Sequence, residues 1–192
     1  MAEEAGQIVT DEGELDPETE ARRRLALAQI RQYPDPALRM EAREIAEIDG
    51  DVRRLAERMV TLMHDAHGVG LAATQVGVLR RIFVFQTADD DEARVAVNPR
   101  VTPRSDENAT DDEGCLSLQR ILVPVERPAA VALEATGLDG EEYRLELEGL
   151  AARVVQHEAD HLDGVLIVDR TDAESRKRAM AELRPRPLIV PQ

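Results

Sequence analysis

The 192-residue sequence has no tryptophan, two tyrosines and two phenylalanines, so its aromatic content is only 2%. Any core must therefore rest on Leu, Val, Ile, Met and Ala, and a hydrophobic content of 43% is enough to build one in a single domain. The one cysteine, Cys115, excludes a disulfide within the chain and fits a reducing compartment. No stretch approaches the roughly 18 to 20 continuous apolar residues needed to span a bilayer, so no membrane partner is expected. The opening MAEEAGQIVTDEGELD has neither a basic start nor an apolar run. That argues against a secretory signal, its acidity argues against a mitochondrial presequence, and a cytoplasmic protein is the expectation. Bases are missing from residues 1–20, which hold eight acids. The remaining chain carries 24 bases against 31 acids, so about half of the formal charge of −15 sits in this tail. An acidic globule with a more acidic tail argues against DNA or RNA as a substrate. Lysine is scarce as well: Lys177 is the only one.

What is present reads as α+β in one domain, with antiparallel strands packed around a central helix and an additional C-terminal helix. Residues 1–24 form an acidic, flexible N-terminal extension in this reading, and residues 25–192 the folded domain. Val52, Leu55, Ala56, Met59, Leu62 and Met63 recur at helical spacing over 51–67, with Asp51 as the cap and Gly68 as a left-handed terminator. Short β-type runs follow at 82–85, 95–97 and 121–125. Residues 130–136 and 142–148 flank Leu138-Asp139-Gly140-Glu141, where Asp-Gly signals a hairpin. A second helix spans roughly 148–162 and stops at Asp163-Gly164. A final strand is expected around 165–168, and Asp172 caps a third helix that ends near Arg184, before Pro185 and Pro187.

The chemistry concentrates in Gln156-His157-Glu158-Ala159-Asp160-His161. Histidines four apart share one helix face, so both imidazoles reach one metal, and the intervening Glu158 is close enough to act on a water there. Two surface histidines meeting by chance on a helix is the bland alternative. A hydrolytic metal site of this kind uses three protein ligands and keeps one position open. His64, His67, Glu174, Glu182 and Cys115 are candidates for the third. Cys115 has the most suggestive setting, Glu113-Gly114-Cys115-Leu116-Ser117, because a thiolate is a strong ligand and Gly114 leaves the backbone bare beside it.

Three blocks together resemble the signature motifs of the peptide deformylase family: Gly68-Val69-Gly70-Leu71-Ala72-Ala73-Thr74-Gln75, Glu113 through Ser117, and Gln156 through Gly164. Tyr33-Pro34-Asp35-Pro36-Ala37-Leu38-Arg39 resembles the family's N-terminal stretch, and the similarity spans about residues 29–184. The resemblance implies a hydrolase that removes the formyl group from N-formylmethionine at the start of newly made polypeptides. It implies that Cys115, His157 and His161 hold the metal, that Glu158 moves the proton, and that the Gln75 amide and the Leu116 backbone N–H stabilise the oxyanion. It also implies that Val69, Gly70 and Gly114 pair with an extended peptide, and that Val69, Leu150 and Val154 help to form the methionine pocket. The native metal it implies is Fe²⁺, with Zn²⁺ or Ni²⁺ able to replace it, whereas donor chemistry alone suggests zinc first. One departure stands out: Gln119 occupies the place of the family's usual proline, and the segment from Cys115 to Pro124 is short. Arg120 and Arg153 are the candidates for the substrate rim, Arg153 equally for a solvated surface. His64 and His67 read as structural.

Two other readings use the same residues. A metallopeptidase would cut internal peptide bonds, and a closed structural site would add a fourth protein ligand and make Glu158 dispensable. Residues 170–186 hold six bases and three acids, a basic patch in an acidic chain. The bland reading is a solvated helix with arginines favoured near its end. The resemblance suggests instead a weak ribosome contact through this helix.

Overall fold

Helix α1, Pro17–Leu27, begins on Asp16, whose carboxylate accepts hydrogen bonds from the N–H groups of Glu18 and Thr19 at 3.0 and 3.1 Å. The computed structural model describes residues 16–87, 90 and 92–184, so the expectations for residues 1–15 and for Arg186 lie outside it. The extension expected over 1–24 is thus helical from Pro17. The same charges that make the segment look like a tail suit a helix: Glu18 and Glu20 lie in the first turn and Arg24 in the last. Ala26 and Ile30 then bury against helix α2, Gly50–Asp65, in a cluster with Val52, Ala56, Met59 and Met63.

Helix α2 has the buried face that its spacing predicts, but its ends differ by a residue or two. Asp49, not Asp51, is the cap, accepting from the N–H groups of Asp51 and Val52 at 2.9 Å. The left-handed residue at the other end is His67 (φ 58°), not Gly68. The N–H of Gly68 closes the end instead by donating to the Met63 carbonyl at 2.9 Å.

Five antiparallel strands form the main sheet. Their order is β1 (Gly70–Ala72), β2 (Ile82–Phe85), β3 (Arg94–Pro103), β6 (Ala130–Thr136) and β7 (Glu142–Glu148). Between β3 and β6 the chain makes a separate pair, β4 (Asn108–Gly114) with β5 (Leu122–Pro128). The β6–β7 turn forms where Asp-Gly predicts it, with Gly140 at φ 89° and the N–H of Glu141 donating to Asp139 at 3.0 Å.

Helix α3, Gly149–Leu162, packs against all five strands of the main sheet and against β5. Ala152, Val154, Val155 and Leu162 meet Phe83, Phe85, Val131 and Leu133 in one cluster. The strand expected around 165–168 is absent: Ile167–Arg170 is a short helix, α4. Asp169 accounts for this, because its carboxylate accepts the N–H of Leu166 at 2.9 Å and pairs with Arg39. Leu166, Ile167 and Val168 still reach the core, beside Leu38, Leu118 and Val125. Helix α5, Ala173–Glu182, is capped by Asp172 as expected. Among the described residues no helix is long and apolar enough to cross a membrane.

Candidate metal centre

Helix α3 turns His157, Glu158 and His161 into the protein, where all three are buried. The Nε2 atoms of His157 and His161 lie 3.2 Å apart, and Cys115 Sγ, one residue beyond β4, lies 3.3 Å from His161 Nε2. The three donor atoms fall within 4.8 Å of one another. Donors held tetrahedrally about 2.0–2.3 Å from one cation are themselves roughly 3.3–3.6 Å apart, a spacing that two edges of this triangle approach, and three donors would leave one position over. The other candidates for third ligand do not join it. His64 bonds to Gln86 at 2.7 Å, and among the described residues Cys115, His157 and His161 form the only such group.

The local field favours a positive charge between these donors. Burial lowers the His157 pKa, but hydrogen bonds to Cys115 and Glu113 and the charges of Cys115 and Glu158 outweigh it and carry the group up to about 10. Burial, reinforced by the charge on His157, pushes His161 far below the usual histidine range. Glu158 stands outside the triangle. Burial raises its carboxyl to about 7, opposed by His157 and assisted by Glu113, and its Oε2 is buried without a hydrogen-bond partner. Its side chain lies directly on Gly70: a Cβ there would sit 2.9 Å from both Cγ and Cδ of Glu158.

Behind the donors runs a buried ionic network. Glu113 Oε2 lies 3.0 Å from His157 Nδ1, which fixes the ring so that Nε2 faces Cys115 and His161. Arg127 donates to both oxygens of Glu113, at 2.6 and 3.0 Å, and to Asp160 at 2.9 Å, while Arg170 closes on Asp160 from α4. Burial alone would raise the Glu113 carboxyl, but its bonds to His157 and Arg127 hold it well below the usual carboxylate range. Arg153 belongs to neither the rim nor the solvent. It is 4% exposed and donates to Glu113, the Val125 and Ala109 carbonyls and Asp111, at 2.8–3.0 Å. Arg127 and Asp160 carry no signal in the sequence beyond their charge.

Gln75 lies in the tight helical turn Ala73–Val76, 1% exposed, with Oε1 accepting from Ala72 N–H at 2.8 Å. Its amide donates to Ser117 Oγ at 3.1 Å and reaches Cys115 Sγ at 3.7 Å. The N-terminal stretch clamps both motifs: Arg31 N–H donates to the Gln75 carbonyl, the Gln32 amide to the Leu116 carbonyl, and Tyr33 N–H to the Ser117 carbonyl, at 2.7–2.9 Å. That role for residues 31–33 escapes the sequence. No acceptor among the described residues takes the Leu116 N–H.

Strand β1 is at the edge of its sheet, and β4 pairs on one side only, with β5. Gly70 and Gly114 thus lie on strands with an unpaired edge. The Val69 carbonyl already accepts from Gln86 N–H at 2.9 Å, within the protein. Val154 is fully buried and Leu150 39% exposed, four residues apart on the face of α3 that carries His157 and His161. A cleft of about 540 Å³ adjoins Gly114, Cys115 and Leu116. A larger one, about 660 Å³, lies among Glu44, Asn98, Arg100 and Tyr143 and contains none of these groups.

Comparison with known proteins agrees with this geometry. The sequence model for polypeptide deformylase matches residues 27–177. The peptide deformylase of Chromohalobacter salexigens is 42% identical, over 84% of this chain and 96% of the relative. That of Rhizobium meliloti is 45% identical, over 71% and 80%. Among solved structures, peptide deformylase from Thermotoga maritima superimposes with a TM-score of 0.71 at 40% identity, covering 74% of this chain and 96% of that one. A peptide deformylase from Synechococcus elongatus, in complex with actinonin, gives 0.75 at 34% identity, covering 80% and 84%.

Proposed function

The chain belongs to the polypeptide deformylase family, and from that premise we propose which of its residues carry out the family's reaction, removal of the formyl group from formylmethionyl peptides. Cys115, His157 and His161 hold the metal on this reading. The cation supplies Lewis acidity and lowers the pKa of a water that it binds. Glu158 accepts the proton of the attacking water and passes it to the leaving amine. A carboxyl raised to about 7 exchanges protons in both directions near neutral pH, and its unpartnered Oε2 is free to do so. Gln75 and the Leu116 N–H donate to the oxyanion. The Gln75 amide gives one hydrogen to Ser117 and directs the other at Cys115 Sγ over a long 3.7 Å, and this second hydrogen is the one that would turn to the substrate. Losing one such donor typically lowers the rate by ~10²–10³.

Gly70 and Gly114 offer bare edges to an extended peptide, and Val69, Leu150 and Val154 supply apolar surface for the methionine side chain. Fe²⁺ is the proposed native metal, with Zn²⁺ or Ni²⁺ as substitutes; one thiolate and two imidazoles suit all three. A cytoplasmic location and a weak ribosome contact through α5 complete the proposal, since formylated chains arise there.

The observation that carries the assignment is the convergence of Cys115, His157 and His161 beside a buried carboxylate that is not one of them. Formate release from formyl-Met-Ala-Ser by anaerobically iron-loaded protein tests it, with the unformylated peptide as control. Cleavage of the unformylated peptide at an internal bond would favour a metallopeptidase. Glu158→Gln should keep its metal and lose turnover by orders of magnitude; loss of metal in parallel would place Glu158 in the coordination shell.

A further inference from the structure

The cleft beside Cys115 has a wall that the family match does not include. The match begins at residue 27, yet Glu20, Arg23 and Arg24 of α1 line the cleft together with Leu27, Leu116 and Arg120. Helix α1 is fixed there by its packing on α2, through Ala26 and Ile30. Three guanidinium groups therefore face one cleft, against a single carboxylate, in a protein of net charge −15. None of the three makes an ion pair among the described residues, and Arg23 Nε is buried without a hydrogen-bond partner. Arg39 and Arg81, by contrast, are paired with Asp169 and Asp163.

We propose that α1 forms a specificity subsite in which Arg23 and Arg24, with Arg120, bind an acidic side chain of the substrate downstream of its formylmethionine. The inference rests on the deformylase reading above. The cleft meets the metal centre at Cys115, which belongs to both, with Gly114 and Leu116 on either side of it in the cleft wall. An extended peptide advances about 3.3 Å per residue. The residues just downstream of formylmethionine, the second to fourth, are therefore the ones to scan along this wall. Leu27, Ile121 and Leu122 give the same residues apolar surface to lie on. The guanidinium fork matches a carboxylate in two parallel hydrogen bonds, and neighbouring apolar walls reduce the competition from water.

The test uses full-length, metal-loaded protein and formyl-Met peptides amidated at the C-terminus, so that the only carboxylate is the one introduced. Each peptide carries Asp, Asn or Lys at its second, third or fourth residue. At one of these positions kcat/KM should favour Asp over Asn by about three- to fivefold at low salt, and Lys should be the poorest. The preference should sit mainly in KM and shrink towards unity by 0.5 M salt. In Arg23→Gln/Arg24→Gln the Asp-to-Asn ratio should fall to near one, and in Arg23→Glu/Arg24→Glu the order should reverse in favour of Lys. Ratios within one variant are insensitive to the fraction of folded protein. The salt series on the unaltered protein needs no variant at all. A ratio near one at all three positions, or one that survives both double substitutions, overturns the subsite while leaving the deformylase reading intact. Failure to release formate from any peptide would overturn that reading instead.

Discussion

Gly70 decides where the Glu158 carboxylate sits. Its own backbone is ordinary strand, so alanine is not excluded by conformation; the conflict is with the side chain of Glu158, which a Cβ would meet at 2.9 Å from Cγ and Cδ. Glu158 is 1% exposed and cannot swing into solvent without opening the core. Gly70→Ala should therefore leave Cys115, His157 and His161 in place and displace the Glu158 carboxylate, the proposed proton-transfer group, by a fraction of an ångström or more. Since a misplacement of about 1 Å can cost 10²-fold, kcat should fall by roughly 10- to 100-fold with metal content unchanged. Steady-state kinetics beside metal analysis of the same sample checks this. A variant with normal kcat would mean that the position of Glu158 against β1 is immaterial. Gly68 supplies an internal comparison, because a Cβ there meets the Leu116 side chain, at 2.8 Å, and not Glu158.

Elements β4, β5, α3 and α4 meet through charge rather than apolar contact alone. Arg153 from α3 satisfies two backbone carbonyls and two carboxylates on β4 and β5, so its removal leaves several buried acceptors short of a donor. Arg153→Met keeps the length and loses the charge. Breaking one member of a buried pair typically costs about 3–5 kcal/mol, and loosening the partner of a metal-binding histidine costs ~10–100-fold in metal affinity. Both losses are expected here, read by denaturant unfolding and by competition with a chelator. Reduced stability with unchanged metal affinity would make the network purely structural. This network also marks where the sequence stops being legible. His157, Glu158 and His161 can be read together because one helix carries them, and the resemblance brings in Cys115 from 46 residues before His161. Arg153 looks in sequence like any solvated arginine, since its partners lie 28 to 44 residues away on other strands. The same holds for elements. Helical spacing locates α2 and α3, the Asp172 cap and the prolines Pro185 and Pro187 locate α5, and Asp-Gly locates the β6–β7 turn. Composition hides α1, whose acids and bases fall at the ends that suit a helix, and the apolar run at 165–168 hides the local bond from Asp169 that winds α4.

At the scale of the whole molecule, a net charge of −15 opposes approach to any polyanion, so contact with ribosomal RNA requires a local patch of opposite sign. Helix α5 offers Arg176, Lys177 and Arg178, all exposed. Two of them are engaged within the chain, Arg176 with Asp169 at 3.4 Å and Arg178 with Glu174 at 3.2 Å. Such exposed pairs are worth about 0–1 kcal/mol, so exchanging them for phosphate contacts costs little. The patch lies on α5, whereas the reaction site lies between α3, β1 and the residue after β4, so the two should vary independently. Arg176→Glu/Lys177→Glu/Arg178→Glu should weaken ribosome binding and reduce the log–log salt slope by about 2 to 3, at roughly 0.7–0.9 per phosphate contact. Activity on a free formyl-Met peptide should be unaltered. The sign of the salt dependence is itself diagnostic: binding through this patch weakens as salt rises, whereas an encounter limited by the overall negative charge strengthens. Ribosome affinity that is unchanged in the triple variant, or that rises with salt in the unaltered protein, would leave α5 with only its packing role against α4 and β5.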